Sequence, residues 1–270
     1  MSKTNRSVLV TGGAGFMGAH VVRGLISDSR YDEFRIVVLD DLSGGFRDNL
    51  PDHPRVQFVE GSVVDPQVVS DLFASHAFDY VFHLAAYAAE GLSHFIRRFN
   101  YQNNLIGSVN LINESVKTGV KHFVFTSSIA VYGSGQVPMR EDTVPQPEDP
   151  YGISKLAVEL DLQSARELFG LSYTVFRPHN VYGEYQNIGD RYRNVVGIFM
   201  NRIMQDRPLP VFGDGTQKRA FTYVGDLLDP VLSSPFTADA NGEVFNLGAD
   251  QPVSVADLAK IVAEEFNVPL

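Results

Sequence analysis

Short apolar runs rich in β-branched residues recur along the chain, separated by stretches with helical spacing. "SVLVTGG" (7–13) reads as the first strand and "AHVVRGLISD" (19–28) as the helix after it. "FRIVVLDD" (34–41), "VQFVEGSV" (56–63) and "FDYVFHLAA" (78–86) read as the next strands. A helix is predicted over about 99–118, then a strand in "KHFVFTSS" (121–128). "DPYGISK" (149–155) opens a long helix, with Asp149 placed to cap backbone N–H groups and Pro150 at the first helical position. Ile153, Leu156, Ala157, Leu160 and Ala165 then recur with helical spacing as far as Gly170, a stop signal. "SYTVFRP" (172–178) and "EVFNLG" (243–248) are the last strands. Apolar runs without alternation need burial on both faces, so the fold class is α/β, a doubly wound parallel sheet with helices on each side. Ligands of such sheets lie beyond the C-terminal strand ends.

From about residue 178 the pattern changes. "HNVYGEYQNIGDRYRN" (179–194) is polar and turn-rich, and a helix is expected near 195–206. "SVADLAKIVAEEF" (254–266) starts with Ser254 and Asp257 in capping-box spacing. Two regions are expected: 1–177, a dinucleotide-binding domain, and 178–270, a smaller substrate lobe interleaved with the last strands of the sheet (about 219–248). The 270 residues suffice for a sizeable core, and 44% hydrophobic with 20% charged residues is an ordinary globular balance. A net charge of −10 argues against nucleic acid or an anionic membrane as partner. The absence of cysteine excludes thiol catalysis, disulfides and thiolate metal sites. The N-terminal apolar run is too short for a secretion signal and nothing approaches a membrane span, so a cytoplasmic location is expected.

Candidate chemistry begins at "VTGGAGFMGAH", where Gly12, Gly15 and Gly18 lie between the first strand and its helix. The first glycine permits the turn, the second lets the backbone approach a pyrophosphate, and the third allows close packing at a helix N-terminus that attracts phosphate. Asp40, about twenty residues on, can accept the adenosine ribose hydroxyls and repel a 2′-phosphate. NAD is therefore expected over NADP, with Asp41 the rival for the role. Tyr151 and Lys155 lie one turn apart on one helix face. His83 and His179 are expected to be packed and hydrogen-bonded, and no metal is proposed.

In order along the chain, "TGGAGFMG", "VVLDDLSGG", "FHLAA", "NNLIGSVNLI", "FVFTSSIAVYG", "PYGISK", "FRPHNVYG" and "KRAFTYVGDL" resemble the extended short-chain dehydrogenase/reductases. The similarity is greatest to their nucleotide-sugar branch, especially the UDP-glucose 4-epimerase group. It implies a Rossmann fold, with Tyr151 and Lys155 as the catalytic pair and Ser128 completing the site; Ser127 is the alternative. A cofactor site is implied at Gly12, Gly15, Phe16, Met17 and Gly18, then Asp40, Asp41, Ser43 and Gly44. Ser62, Val63, Leu84, Ala85, Ala86, Tyr151, Lys155 and Pro178 complete it. Ser128, Asn180, Asn194 and Arg219 are implied as substrate contacts, Arg219 for the diphosphate. The resemblance also implies a homodimer built from the helices near 99–118 and 151–168.

Several positions depart from the family. Ser62 stands where an aspartate usually reaches the adenine, and Ala220 replaces the acid that commonly follows Arg219. Glu90 stands where a small or apolar residue is usual, as a solvated loop carboxylate or a contact to an unusual sugar substituent. The related 4,6-dehydratases carry Asp-Glu where this chain has Ile129 and Ala130. The family continues beyond the point where this chain ends, so the substrate lobe is expected to lack its final portion and to bind substrate weakly; the alternative is a naturally short chain that grips its substrate with "EYQNIGDRYRN" (184–194) instead. The leading expectation is a UDP-sugar 4-epimerase using NAD. The alternatives are a dehydratase or decarboxylase starting with the same oxidation at C4, and a non-catalytic NAD-binding protein of the same fold.

Overall fold

The structure is a computed structural model that describes residues 6–190 and 194–269, so part of the polar stretch 179–194 lies outside the described residues. The elements run β1 (Ser7–Thr11), α1 (Phe16–Ser27), β2 (Arg35–Asp40), β3 (Val56–Glu60), α2 (Pro66–Ser75), β4 (Phe78–His83), α3 (Glu90–Ser93), α4 (Arg97–Tyr101), α5 (Gly107–Thr118) and β5 (His122–Thr126). Then follow α6 (Pro150–Phe169), β6 (Tyr173–Pro178), β7 (Val181–Tyr182), α7 (Val195–Met204), β8 (Lys218–Ala220), β9 (Thr222–Tyr223), α8 (Leu228–Ser233), β10 (Val244–Leu247), β11 (Pro252–Ser254) and α9 (Val255–Glu265).

Seven strands form one parallel sheet in the order β10-β6-β5-β4-β1-β2-β3. Alternate side chains of each strand enter different cores. Val8, Val10, Ile36, Val38 and Phe82 meet Val22 and Leu25 of α1. Leu9, Val37, Val81 and Phe123 meet Val69 of α2, Leu111 of α5 and Val158 of α6. Each such side chain, withdrawn fully from water, contributes about 1.5–3 kcal/mol. That double burial is why the strands read as unbroken apolar runs. β1, β3, β4 and β5 end two or three residues before the sequence pattern suggests, because the chain leaves the ladder there to line a crevice.

Two helices differ from expectation. The helix predicted over 99–118 is broken by a π-turn at Gln102–Ile106 between α4 and α5. Asn104 in that turn accepts the Tyr87 N–H (2.7 Å) and donates to the Tyr87 carbonyl (3.2 Å), so the wider turn clamps the loop after β4. Helix α6 starts at the Asp149–Pro150 signal, with Asp149 Oδ1 accepting the Tyr151 (2.8 Å) and Gly152 (3.0 Å) N–H groups. Its buried face shares only Ala165 with the apolar set read from spacing. Ile153 and Leu160 are exposed, whereas Tyr151, Ser154, Lys155, Val158, Glu159, Leu162 and Ala165 are buried. The polar groups turn inward because the strands beneath supply partners for them.

After β6 the chain contributes to two places. β10 adds the edge strand, and Val231 and Leu232 of α8 join the core beneath α1. A smaller core packs α7 on α9 around Phe199, beside the β8–β11 antiparallel pair, while β7 pairs with β9 in parallel. Among the described residues no helix is long and apolar enough to cross a membrane.

Candidate active site

A cleft of about 640 Å³ runs along the C-terminal ends of the central strands. At one end lies the glycine turn. Gly12 has φ +70°, and a Cβ there would lie 2.7 Å from the Ala85 nitrogen; one on Gly18 would lie 2.1 Å from the Gly12 carbonyl oxygen. Gly15 is the N-cap of α1 with no side-chain cap, so the first N–H groups of that helix and its positive dipole end are left for an anion in the cleft. Phe16, Met17, Ser43 and Gly44 line this end.

Asp40 ends β2. Its Oδ2 accepts the Ala14 N–H (3.0 Å) and its Oδ1 the Leu42 N–H (2.8 Å), so the carboxylate organises the glycine turn as well as lining the cleft. Burial raises its pKa, opposed by those backbone N–H groups. Asp41 Oδ1 accepts both the N–H and the hydroxyl of Ser43 and is used in its own turn. Ser62 does not line the cleft. Its carbonyl accepts the Asp65 N–H (3.1 Å) within the turn before α2, and Val63 and Gly61 face the cleft instead. Leu84, Ala85, Ala86 and Pro178 continue the wall. Lys155 and Arg219 are the cations lining the cleft among the described residues, and the charged side chain that acts on Asp40 is Asp41, not either of them. Arg47, the first arginine after Asp40 in sequence, stacks on Phe58 at 4.7 Å. Backbone N–H groups for a diphosphate, a carboxylate for ribose hydroxyls and no cation for a 2′-phosphate fit NAD.

At mid-cleft, Tyr151 sits in the first turn of α6 with Lys155 one turn on, both buried. Lys155 Nζ donates to the Thr126 carbonyl (2.8 Å), 4.8 Å from the Phe125 ring centroid and 5.9 Å from that of Tyr151. Burial pushes its pKa down to about 7, and the Glu159 carboxylate opposes that fall. The two serines after β5 divide their roles. Ser127 is buried and donates its proton to Glu159. Ser128 caps the short turn Ile129–Tyr132 by accepting the Ala130 N–H (3.1 Å), which leaves its own proton out of that bond.

The far end gathers Glu90, Asn180, Asn194 and Arg219. Asn180 Nδ2 donates to the Ala220 carbonyl (2.9 Å). Asn194 caps α7, accepting the Val196 N–H (2.9 Å) and donating to the Val181 carbonyl. Both amides thus hold backbone at the wall. Arg219 is exposed and donates Nη1 to the Lys218 carbonyl (2.9 Å). Glu90 begins α3, and burial, then Asp149, raises its carboxyl pKa while Arg219 lowers it. His83 is buried between the hydroxyls of Thr11 (2.6 Å) and Ser108 (2.8 Å), and burial, then the Lys155 charge, pushes it down to about 3. His179 packs against Gly248, and its buried Nε2 has no partner among the described residues.

Sequence reasoning passed over Glu159 and its partner Arg177. The signal was available, since Tyr151, Lys155 and Glu159 form one i, i+4 row. It also passed over Pro210 and Phe212, which reach the cleft from a loop with no periodic pattern, as does Gln186 of the stretch "EYQNIGDRYRN".

The chain matches the model of the NAD dependent epimerase/dehydratase family over residues 8–248. It is 33% identical to a dTDP-D-glucose 4,6-dehydratase of Mus musculus, over 94% of this chain and 71% of that protein. It is 32% identical to a putative UDP-glucose 4-epimerase of Methanocaldococcus jannaschii, over 96% of this chain and 82% of that one. The fold superposes on the UDP-glucose 4-epimerase of Thermotoga maritima, solved with UDP-glucose, with a TM-score of 0.90 and 35% identity, covering 98% of this chain and 84% of that one. With a family match across the sheet and the cleft, the chain belongs to the NAD-dependent epimerase/dehydratase family.

Proposed function

We propose that this protein is a nucleotide-sugar 4-epimerase that uses NAD and acts on a UDP-sugar. The observation that carries the reading is the cleft lining directly after β5. Ser128 presents a hydroxyl there, while Ile129 lines the cleft and Ala130 follows it, so a hydrocarbon pair stands where an elimination needs an acid and a base. Similarity to the Thermotoga maritima enzyme supports the UDP-sugar.

Gly12, Gly15, Gly18 and Asp40 would hold NAD, which when bound supplies a reversible two-electron oxidation at sugar C4. The chain handles the proton. Tyr151 Oη removes it from the C4 hydroxyl, and Lys155 stabilises the phenolate through its buried charge. Ser128 Oγ hydrogen-bonds the same oxygen and holds the hydroxyl in line. After the C4 ketone has turned its other face, Tyr151 returns the proton and the C4 epimer is released. Arg219 would bind the diphosphate. The exposed Ile153 and Leu160 of α6, with Phe99 of α4 and Ile106 before α5, support a homodimer through these helices.

The test is incubation with a panel of nucleotide sugars, followed by NMR of the products. A C4 epimer is expected. A 4-keto-6-deoxy sugar would replace the reading by a dehydratase, for which the murine relative and Glu90 at the far end of the cleft are the supporting observations.

A further inference from the structure

Behind the Tyr151–Lys155 face lies a buried polar chain that the proton transfer does not itself use. Glu159 follows Lys155 by one turn and is 7% exposed. One carboxylate oxygen accepts the Ser127 hydroxyl and Arg177 Nε (3.0 Å), and the other accepts Arg177 Nη2. Arg177, 4% exposed, reaches from β6 and donates Nη1 to Tyr132 Oη (2.7 Å). Tyr132 donates in turn to Asn246 Oδ1 (2.9 Å) on β10. An ion pair this deeply buried gains little net stability over an apolar replacement, so folding alone does not account for it.

We propose that Glu159 is a positioning residue for the reaction: its carboxylate ties the tip of β5, which carries Ser128, to helix α6, which carries Tyr151 and Lys155. The inference rests on the function proposed above. Two consecutive residues of the β5 tip are anchored to α6, Thr126 by its carbonyl to Lys155 and Ser127 by its hydroxyl to Glu159. Ser128 follows directly and bonds within its own turn, accepting the Ala130 N–H at Oγ and the Val131 N–H at its carbonyl. Its place relative to Tyr151 is therefore set by the anchor one residue before it. Arg177 fixes the carboxylate in a two-pronged grip, and Tyr132 closes the far end of the turn that Ser128 begins.

Glu159 also bears on the charge beside Tyr151. Among the described residues the groups facing Lys155 are Tyr151 and Glu159 from its own helix, His83 from β4 and, behind Glu159, Arg177 from β6. His83 is neutral at pH 7 because burial holds it near 3. The carboxylate is the group that raises Lys155 against burial. Without its charge, Arg177 stands as an uncompensated cation and disfavours protonated Lys155.

Three measurements test this on the full chain loaded with NAD. Glu159→Gln is expected to lower kcat at pH 7 by about 30-fold with KM changed less than about 3-fold, and to move the rising limb of the pH profile up by about one unit. Should the stranded Arg177 prevent folding, Glu159→Gln with Arg177→Met removes both charges and keeps the volume. That double variant is expected to keep a kcat about 10-fold or more below the unaltered protein while its limb returns toward the original position. Recovery of full kcat in the double variant would show that Glu159 only neutralises Arg177, and the proposal falls. Hydrogen exchange provides a readout without substrate: amides over 127–133 are expected to exchange about 10-fold faster in the double variant, and unchanged protection would also overturn the tie. If the unaltered protein turns over no nucleotide sugar, the function fails while hydrogen exchange still decides the tie.

Discussion

Replacing Lys155 with methionine removes the charge and keeps the volume. Nζ lies 5.9 Å from the Tyr151 ring centroid, where unit charges at an effective dielectric of about 20 interact by about 3 kcal/mol. That is about two pKa units. The phenol of the variant should therefore ionise about two units higher, and turnover at pH 7 should fall about 100-fold. The assay is kcat/KM against pH in the epimerisation. The rising limb should shift alkaline, with the deficit narrowing toward pH 10. A uniform loss with the limb unmoved would refute a charge role for Lys155. Stability supplies a second reading of the same residue. Its folded pKa is about 7, against 10.5 for a lysine side chain free in water. Between those values the unfolded chain holds a proton that the native state lacks, so native stability rises with pH through this window. The burial penalty is fully present below the lower value and gone above the upper one. Urea melts should show the unaltered protein gaining on Lys155→Met by about 1 kcal/mol per pH unit from pH 7 to 9. A constant difference would mean that Lys155 is not depressed.

Tyr151→Phe should bind NAD as the unaltered protein does while losing about 1000-fold or more in turnover, since only the phenol oxygen can carry the proton; calorimetry and the NMR assay together check this. Asp40 should impose a preference for NAD, and tighter NADP binding by the unaltered protein in calorimetry would refute that role. Asp40→Asn should narrow the preference and also cost about 1–3 kcal/mol in a melt, because the Ala14 and Leu42 N–H groups lose a charged acceptor. Light scattering at micromolar concentration should report a dimer that Leu160→Lys weakens; a monomeric unaltered protein would reject the helix interface.

The sheet was legible because burial on both faces leaves an unmistakable trace. Val8 to Val10, Ile36 to Leu39 and Phe123 to Phe125 can only be satisfied between two layers of helix. The glycine turn was legible for the same local reason: Gly12 and Gly18 occupy places where a Cβ has no room. The break in the helix near 99–118 was not. A π-turn adds no residue type to the pattern, and the cause, Asn104 bonding Tyr87, joins positions 17 residues apart. Ser62 misled because its place in the motif follows β3 directly, whereas its backbone is committed to the turn into α2. The far end of the cleft was only partly legible, since Pro210, Phe212 and Gln186 come from loops whose positions depend on the small core around Phe199.

Helix α6 shows where periodicity stops being a guide. A rule that places apolar residues inside would bury Ile153 and Leu160 and expose the row Tyr151, Lys155 and Glu159, the reverse of what the fold does. The row can face inward only if each polar group meets a partner, because an unpaired buried charge costs several kcal/mol. The partners are supplied by topology. Thr126, which accepts Lys155, lies 29 residues before it, and Arg177, which holds Glu159, lies 18 after it. They reach one helix because β5 and β6 are neighbours in the parallel sheet and α6 is the crossover between them. The inward row and the strand order therefore require each other. With the strand order in hand, the same three residues at i, i+4 and i+8 mark the face of α6 on which the proton chemistry is built.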